Sequence, residues 1–135
     1  MGHPSADRGG GDSALKPESR RDRFLVDEML RHAEVMAAVV RKGRASFEED
    51  LLTRYALEHA VELFSEAAEK LSATFEHANP GVPWKALRPL RRDVAHPYDA
   101  GRPPVDPERV WRFVQQDVPK IVQKLRRPNF RAPER

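Results

Sequence analysis

The residues best suited to chemistry lie in one short run, Arg91-Arg92-Asp93-Val94-Ala95-His96-Pro97-Tyr98. An unperturbed imidazole titrates near neutral pH, so His96 can take a proton from a ribose 2′-hydroxyl or return one to a leaving oxygen. The Arg91 guanidinium can hold a phosphate through two hydrogen bonds and stabilise the charge that builds on it. Together they suit cleavage of RNA, and no metal is required. On a helix, a separation of five residues is roughly one and a half turns, so the two side chains are not aligned. Pro97 ends such a helix and leaves His96 and Tyr98 to turn toward a shared point. Taken alone, the run also fits the commoner arrangement in which a histidine near a helix end interacts with the last carbonyls.

The elements that must position this run follow from apolar periodicity. A helix is expected from about Arg20 to Arg41, with Leu25, Met29, His32/Ala33, Met36 and Val39/Val40 on its buried face and Gly43 at its C-terminus. Ser46-Phe-Glu-Glu49 reads as a capping box. The helix it opens should run to about Phe75 and bury Leu52, Tyr55/Ala56, His59, Leu63, Ala67 and Leu71. Asn79-Pro80-Gly81-Val82-Pro83 breaks the chain. A shorter helix then starts at Pro83-Trp84, carries Leu87, Leu90/Arg91 and Val94, is kinked by Pro89, and stops near Pro97. After a loop from Asp99 to Pro107, Asp106 is the expected N-cap of the last helix and Pro107 its first residue. Val110, Val114, Val118, Ile121/Val122 and Leu125 mark its buried stripe, and Pro119 should bend it. There is no strand-type alternation and no internal repeat. The expected fold is all-α, an up-and-down bundle of four main helices plus a short segment, formed by residues 20–125. Residues 1–19 read as a disordered tail and 126–135 as a basic tail without pattern.

Composition narrows the setting. The 135 residues suit one domain, 39% of them apolar and 33% charged, with no run long enough to span a bilayer. The first residues have no apolar stretch of the secretory type, and cysteine is absent, which rules out disulfides and thiolate metal sites. The cytoplasm is the expected location. The net charge of +3 hides an asymmetry: residues 84–135 carry 13 Lys/Arg against 6 Asp/Glu, whereas residues 1–83 carry 11 against 15. One face suited to a polyanion, and an ordinary mixed surface, both fit this pattern.

Other candidates are weaker. His32 and His59 fall on apolar helix faces with no second ligand at metal spacing, and His3 and His77 have no assigned role, so neither metal nor cofactor is expected. Trp84 and Trp111 read as buried anchors of the bundle or a dimer contact. Arg126, Arg127 and Arg131 read as a solvated tail with some capacity for phosphate.

The run Arg91…His96-Pro97-Tyr98 resembles the R-x4-H-x-Y motif of the HepT-like family within the HEPN superfamily. Its surroundings resemble the family too: Ser65-Glu-Ala-Ala-Glu-Lys-Leu-Ser72, Val82-Pro-Trp84, Val105-Asp-Pro-Glu-Arg-Val-Trp111 and Asp117-Val-Pro119. The resemblance spans roughly residues 20–125. It implies a HEPN-type bundle forming a symmetric homodimer, with two motifs at a basic cleft between subunits. It also implies a metal-independent ribonuclease toxin of a type VII-like toxin–antitoxin pair. The partner would be an MntA-like nucleotidyltransferase antitoxin that adds AMP to the motif tyrosine. On that basis Arg91 binds and polarises phosphate, His96 is the general acid or base, and Tyr98 is the AMP acceptor. Arg92, Lys85 and Arg88 are RNA-binding cations. Glu66 sits where the family carries its glutamate, to orient Arg91 or face the cleft, or else simply pairs with Lys70 one turn on. Arg92 replaces the family's usual Asn and can only donate, so it is either a second phosphate clamp or the sign of an altered cleft. The alternative function is a non-catalytic helical module that docks a nucleotidyltransferase.

Overall fold

Pro17 opens the first helix because its fixed φ suits a first turn and its missing N–H would have no partner there. From this point α1 (Pro17–Lys42) runs without a break to Gly43, whose φ of +98° closes the helix in a conformation that favours glycine. The computed structural model describes residues 16–85, 87 and 106–130, and every regular element among them is helical. The remaining elements are α2 (Arg44–Glu49), α3 (Leu51–Glu69), α4 (Ala73–Ala78), α5 (Pro107–Arg112) and α6 (Val118–Leu125). A π-helical turn, Phe113–Asp117, joins α5 and α6 into one rod.

Helix α1 is the central element. Asp22 meets Ser72 at one end and Lys42 donates to Thr53 Oγ1 (3.3 Å) at the other, so α1 and α3 are antiparallel. Ser19 donates to the Phe130 carbonyl and Arg44 pairs with Glu108, so the α5–α6 rod is antiparallel to α1 as well. Between them Met29, Met36, Leu57, Phe64 and Ile121 are almost wholly buried. Each such side chain contributes about 1.5–3 kcal/mol on removal from water. Phe47 stacks on Trp111 (5.4 Å) and Phe64 meets Phe113 edge-on (6.3 Å), locking α2 and α3 to the rod.

The all-helical architecture and the buried stripe of α1 match the sequence reading, while four details differ. The helix expected from Ser46 to Phe75 is three pieces. Ser46 lies inside α2 and its hydroxyl donates to the Lys42 carbonyl, whereas Asp50 caps α3 by accepting from Leu52 N (3.2 Å). The buried face of α3 is Thr53, Leu57, Ala60, Val61, Phe64, Ser65, Ala67 and Ala68, so that Ala67, and Leu71 just beyond the helix, are buried as expected. Leu52 (76% exposed), Tyr55 (59%) and His59 point outward. The apolar residues of α3 form two stripes, and the one built from β-branched, aromatic and small residues packs more closely on α1. Finally, residues 126–130, read as part of a patternless tail, include Asn129 and Phe130, which are held against α4 and the turn that follows it. Helix α1 also begins at Pro17, inside the segment expected to be a tail. The bend expected at Pro119 is the π-turn: Val118 N–H bonds to Phe113 O, and the wider turn absorbs the clash of the proline ring with the carbonyl four residues back.

The Asp50 cap makes a pH prediction. The Thr53 hydroxyl (2.6 Å) and Leu52 N–H hold the Asp50 carboxyl below the usual aspartate range. A lowered folded-state pKa means the stabilisation is present above the unfolded value and lost as pH falls through the folded one. Asp50→Asn should therefore flatten the acid limb of the melting temperature between neutral pH and the lower end of the aspartate range, read by circular dichroism. An unchanged limb would assign it to other carboxylates.

Candidate functional site

Arg88, Arg91, Arg92, His96 and Tyr98 lie outside the described residues. What the structure provides is the pair of anchors between which they are strung, and both are built from buried aromatic residues.

The upstream anchor starts at the N-terminus of α4. Ser72 caps α4 by accepting from Phe75 N (3.1 Å), and is itself held by buried Asp22, which accepts from Ser72 N (2.9 Å) and Ser72 Oγ (2.6 Å). Asn79 ends α4 and acts as a hub. Its side-chain amide donates to Phe75 O (2.8 Å) and Asn129 O (2.7 Å), and its Oδ1 accepts from Asn129 N (2.8 Å). Its own carbonyl accepts from the Trp84 indole Nε1 (3.0 Å). Trp84 lies edge-on to Phe75 (5.9 Å), and Phe130 lies against the same ring (5.4 Å) under the Arg23 guanidinium. Gly81 allows the Lys124 side chain to cross the turn, since a Cβ there would come within 2.8 Å of Lys124 Cδ. Buried Leu87 is the last described residue of this anchor.

The downstream anchor is the start of α5. Asp106 caps it by accepting from Glu108 N (3.0 Å), with Pro107 in the first turn as the sequence predicted. Arg44 bonds Glu108, which holds the Glu108 carboxyl below the usual glutamate range and the guanidinium above the usual arginine range. Both groups are exposed, so this pair positions more than it stabilises. Trp111 then buries its ring against Phe47. Both tryptophans are anchors of the bundle, as the sequence indicated.

Two site candidates lie among the described residues. Lys85 is exposed, directly after Trp84. Glu66 is half-buried on α3 and accepts from Lys70 Nζ (3.1 Å), the one-turn pairing anticipated from sequence. Glu58, a third of the way along α3, has its carboxyl pushed up by partial burial. No cluster of three or more metal-binding side chains occurs among the described residues, and no described helix is long and apolar enough to cross a membrane. Sequence reasoning missed the Asn79–Asn129 clasp. Asn79 before Pro-Gly signalled only a chain break, and nothing in the local pattern marks Asn129.

The family model described as Ribonuclease HepT-like matches residues 29–127, a span that contains Asn79, Trp84, Trp111 and the whole run from Arg91 to Tyr98. A protein of Methanocaldococcus jannaschii described as "Putative RNase MJ1380" is 30% identical over 109 residues, covering 79% of this chain and 96% of that protein. One of Thermococcus cleftensis described as "Probable ribonuclease HepT" is 28% identical over 76 residues, covering 56% of this chain and 66% of that protein. No solved structure shows a significant match.

Proposed function

Because the chain belongs to the ribonuclease HepT-like family, we propose that it is a cytoplasmic endoribonuclease that cleaves RNA without a metal ion, as the toxin of a toxin–antitoxin pair. The observation that carries this reading is the occurrence of Arg91, His96 and Tyr98 at R-x4-H-x-Y spacing inside the matched span. His96 removes the proton from a ribose 2′-oxygen, which attacks the adjacent phosphorus. The bond from phosphorus to the 5′-oxygen breaks, and that oxygen leaves as a hydroxyl once protonated. The products are a 2′,3′-cyclic phosphate and a 5′-hydroxyl, so atoms and charge balance without a cofactor. Arg91 holds the non-bridging oxygens as charge builds on them. Arg92, Arg88 and Lys85 bind the flanking phosphates, and Glu66 is a supporting carboxylate.

The active form in this reading is a homodimer. The outward stripe of α3, with Leu51, Leu52 and Tyr55 all more than half exposed, is apolar surface of the kind a second copy covers. The antitoxin is a nucleotidyltransferase that transfers AMP from ATP to the Tyr98 phenolic oxygen and releases pyrophosphate. In this reading the added phosphate is an anion that competes with the substrate for the Arg91 guanidinium.

The test is incubation of a mixed RNA, and of DNA of the same sequence, with the full chain in excess EDTA, followed by analysis of the product ends. Cyclic-phosphate ends on RNA and intact DNA are expected. Equal cleavage of DNA would rule out the 2′-hydroxyl mechanism. Intact RNA, from protein shown by mass to carry no AMP on Tyr98, would favour the non-catalytic module consistent with Arg92 in place of the family's Asn.

A further inference from the structure

Between α1 and the Val114–Arg126 stretch of the rod lies a groove of about 550 Å³. Its floor is mainly apolar, with Leu30, Ala33 and Ala37 on α1 facing Val114, Val118 and Val122 on the rod, while Glu34, Gln115 and Gln123 add polar groups to the lining. Two small residues at i and i+4 keep the α1 wall low, and Ala37 is exposed to solvent. The ends of the groove are charged. Because the rod is antiparallel to α1, Arg126 stands at the Leu30 end and Arg41 at the other. From Leu30 to Arg41 a helix rises about 16 Å. Neither guanidinium has an ion pair or side-chain hydrogen bond among the described residues, in a chain where Arg31, Arg44 and Arg112 all have carboxylate partners.

An apolar trough about three helical turns long, with an unpaired cation at each end, defines its occupant by charge and length. We propose that this groove docks an acidic amphipathic helix of another protein, with apolar side chains on the floor and carboxylates about eleven residues apart on Arg41 and Arg126. A fatty acyl chain would use only one of the two arginines, because it has one carboxylate. Nucleic acid would leave the apolar floor unused. A second copy of this chain offers its exposed apolar stripe on α3, a different surface, and a contact between two unlike surfaces does not close into a dimer. The inference does not depend on the ribonuclease reading.

The experiment uses the full chain and a fluorescein-labelled helical peptide of about four turns, with leucines along one face and a glutamate at each end of that face, about eleven residues apart. Binding is read by fluorescence anisotropy. Ala37→Trp, which fills the groove, should weaken binding by at least about tenfold, and Arg41→Glu with Arg126→Glu should do so to a similar extent. The charge-reversed double variant should in turn prefer a peptide whose end glutamates are replaced by lysine. Both changes lie on exposed positions, and the double variant decides the matter even if the tryptophan disturbs folding. The proposal is overturned if the native chain does not bind the peptide, binds the lysine-ended peptide equally well, or binds undiminished after Ala37→Trp. It is also overturned if sedimentation shows that the groove variants lose self-association, which would assign the groove to a second copy.

Discussion

Alanine in place of His96 is expected to slow RNA cleavage by about 10²–10⁴-fold, the usual contribution of a positioned general acid–base group. Helical content and melting temperature, read by circular dichroism on the same protein, should stay at native values if the loss is one of chemistry alone. Two companion variants separate its role from that of its neighbours. Arg91→Lys keeps the positive charge but loses the planar fork that holds two phosphate oxygens, so it should lower the rate while leaving RNA affinity largely in place. Tyr98→Phe removes the oxygen proposed as the AMP acceptor and keeps Arg91 and His96. It should cleave RNA and resist silencing by the nucleotidyltransferase. A His96→Ala protein that cleaves at the native rate would remove the histidine from the mechanism and leave the site unassigned.

The largest effect expected on stability is at Phe75. Its ring is 2% exposed and is shared by Trp84 and Phe130, so it joins the upstream anchor of the motif segment to the C-terminal residues. Phe75→Ala deletes a buried aromatic ring from a site whose neighbours are already pinned by hydrogen bonds through Asn79, which limits collapse into the space. The expected cost is about 3–5 kcal/mol, or a fall in melting temperature of roughly 10–20 °C for a domain of this size. Trp84 emission should shift to the red as water reaches the indole. Phe75→Leu keeps most of the volume and should cost less than half as much. Equal effects from the two variants would show that the ring's shape, rather than its volume, holds the anchor together.

The sequence was most legible where one physical signal acted alone. Gly43 beyond an apolar stripe and Asp106-Pro107 ahead of another fix helix ends through backbone geometry that few other residues satisfy. The α1 face was legible because its polar and apolar residues alternate at one period. Helix α3 carries leucines on two faces, and periodicity cannot say which of them meets α1. Packing against Phe113 decided it for Phe64. Ser46 has the spacing of a cap, but Asp50 lies at the actual start of α3, and the carboxylate there takes the cap. For the site, the motif residues were legible through their types and order. Their anchors were legible only in part: Trp84 and Trp111 stood out by size, while Asn79 and Asn129 are fifty residues apart and neither belongs to a periodic pattern.

The clasp between Asn79, Asn129 and Phe130 also bears on how the molecule comes into being. A chain emerging from the ribosome can pair α1 with α3 early, because those contacts need only its first half. The Trp84 anchor gains its remaining partners only once Phe130 has been made and has reached Phe75 and Ser19. The segment bearing Arg91 and His96 is thus synthesised before one of its two supports is complete. For a ribonuclease, this order of assembly favours activity arising after synthesis rather than during it.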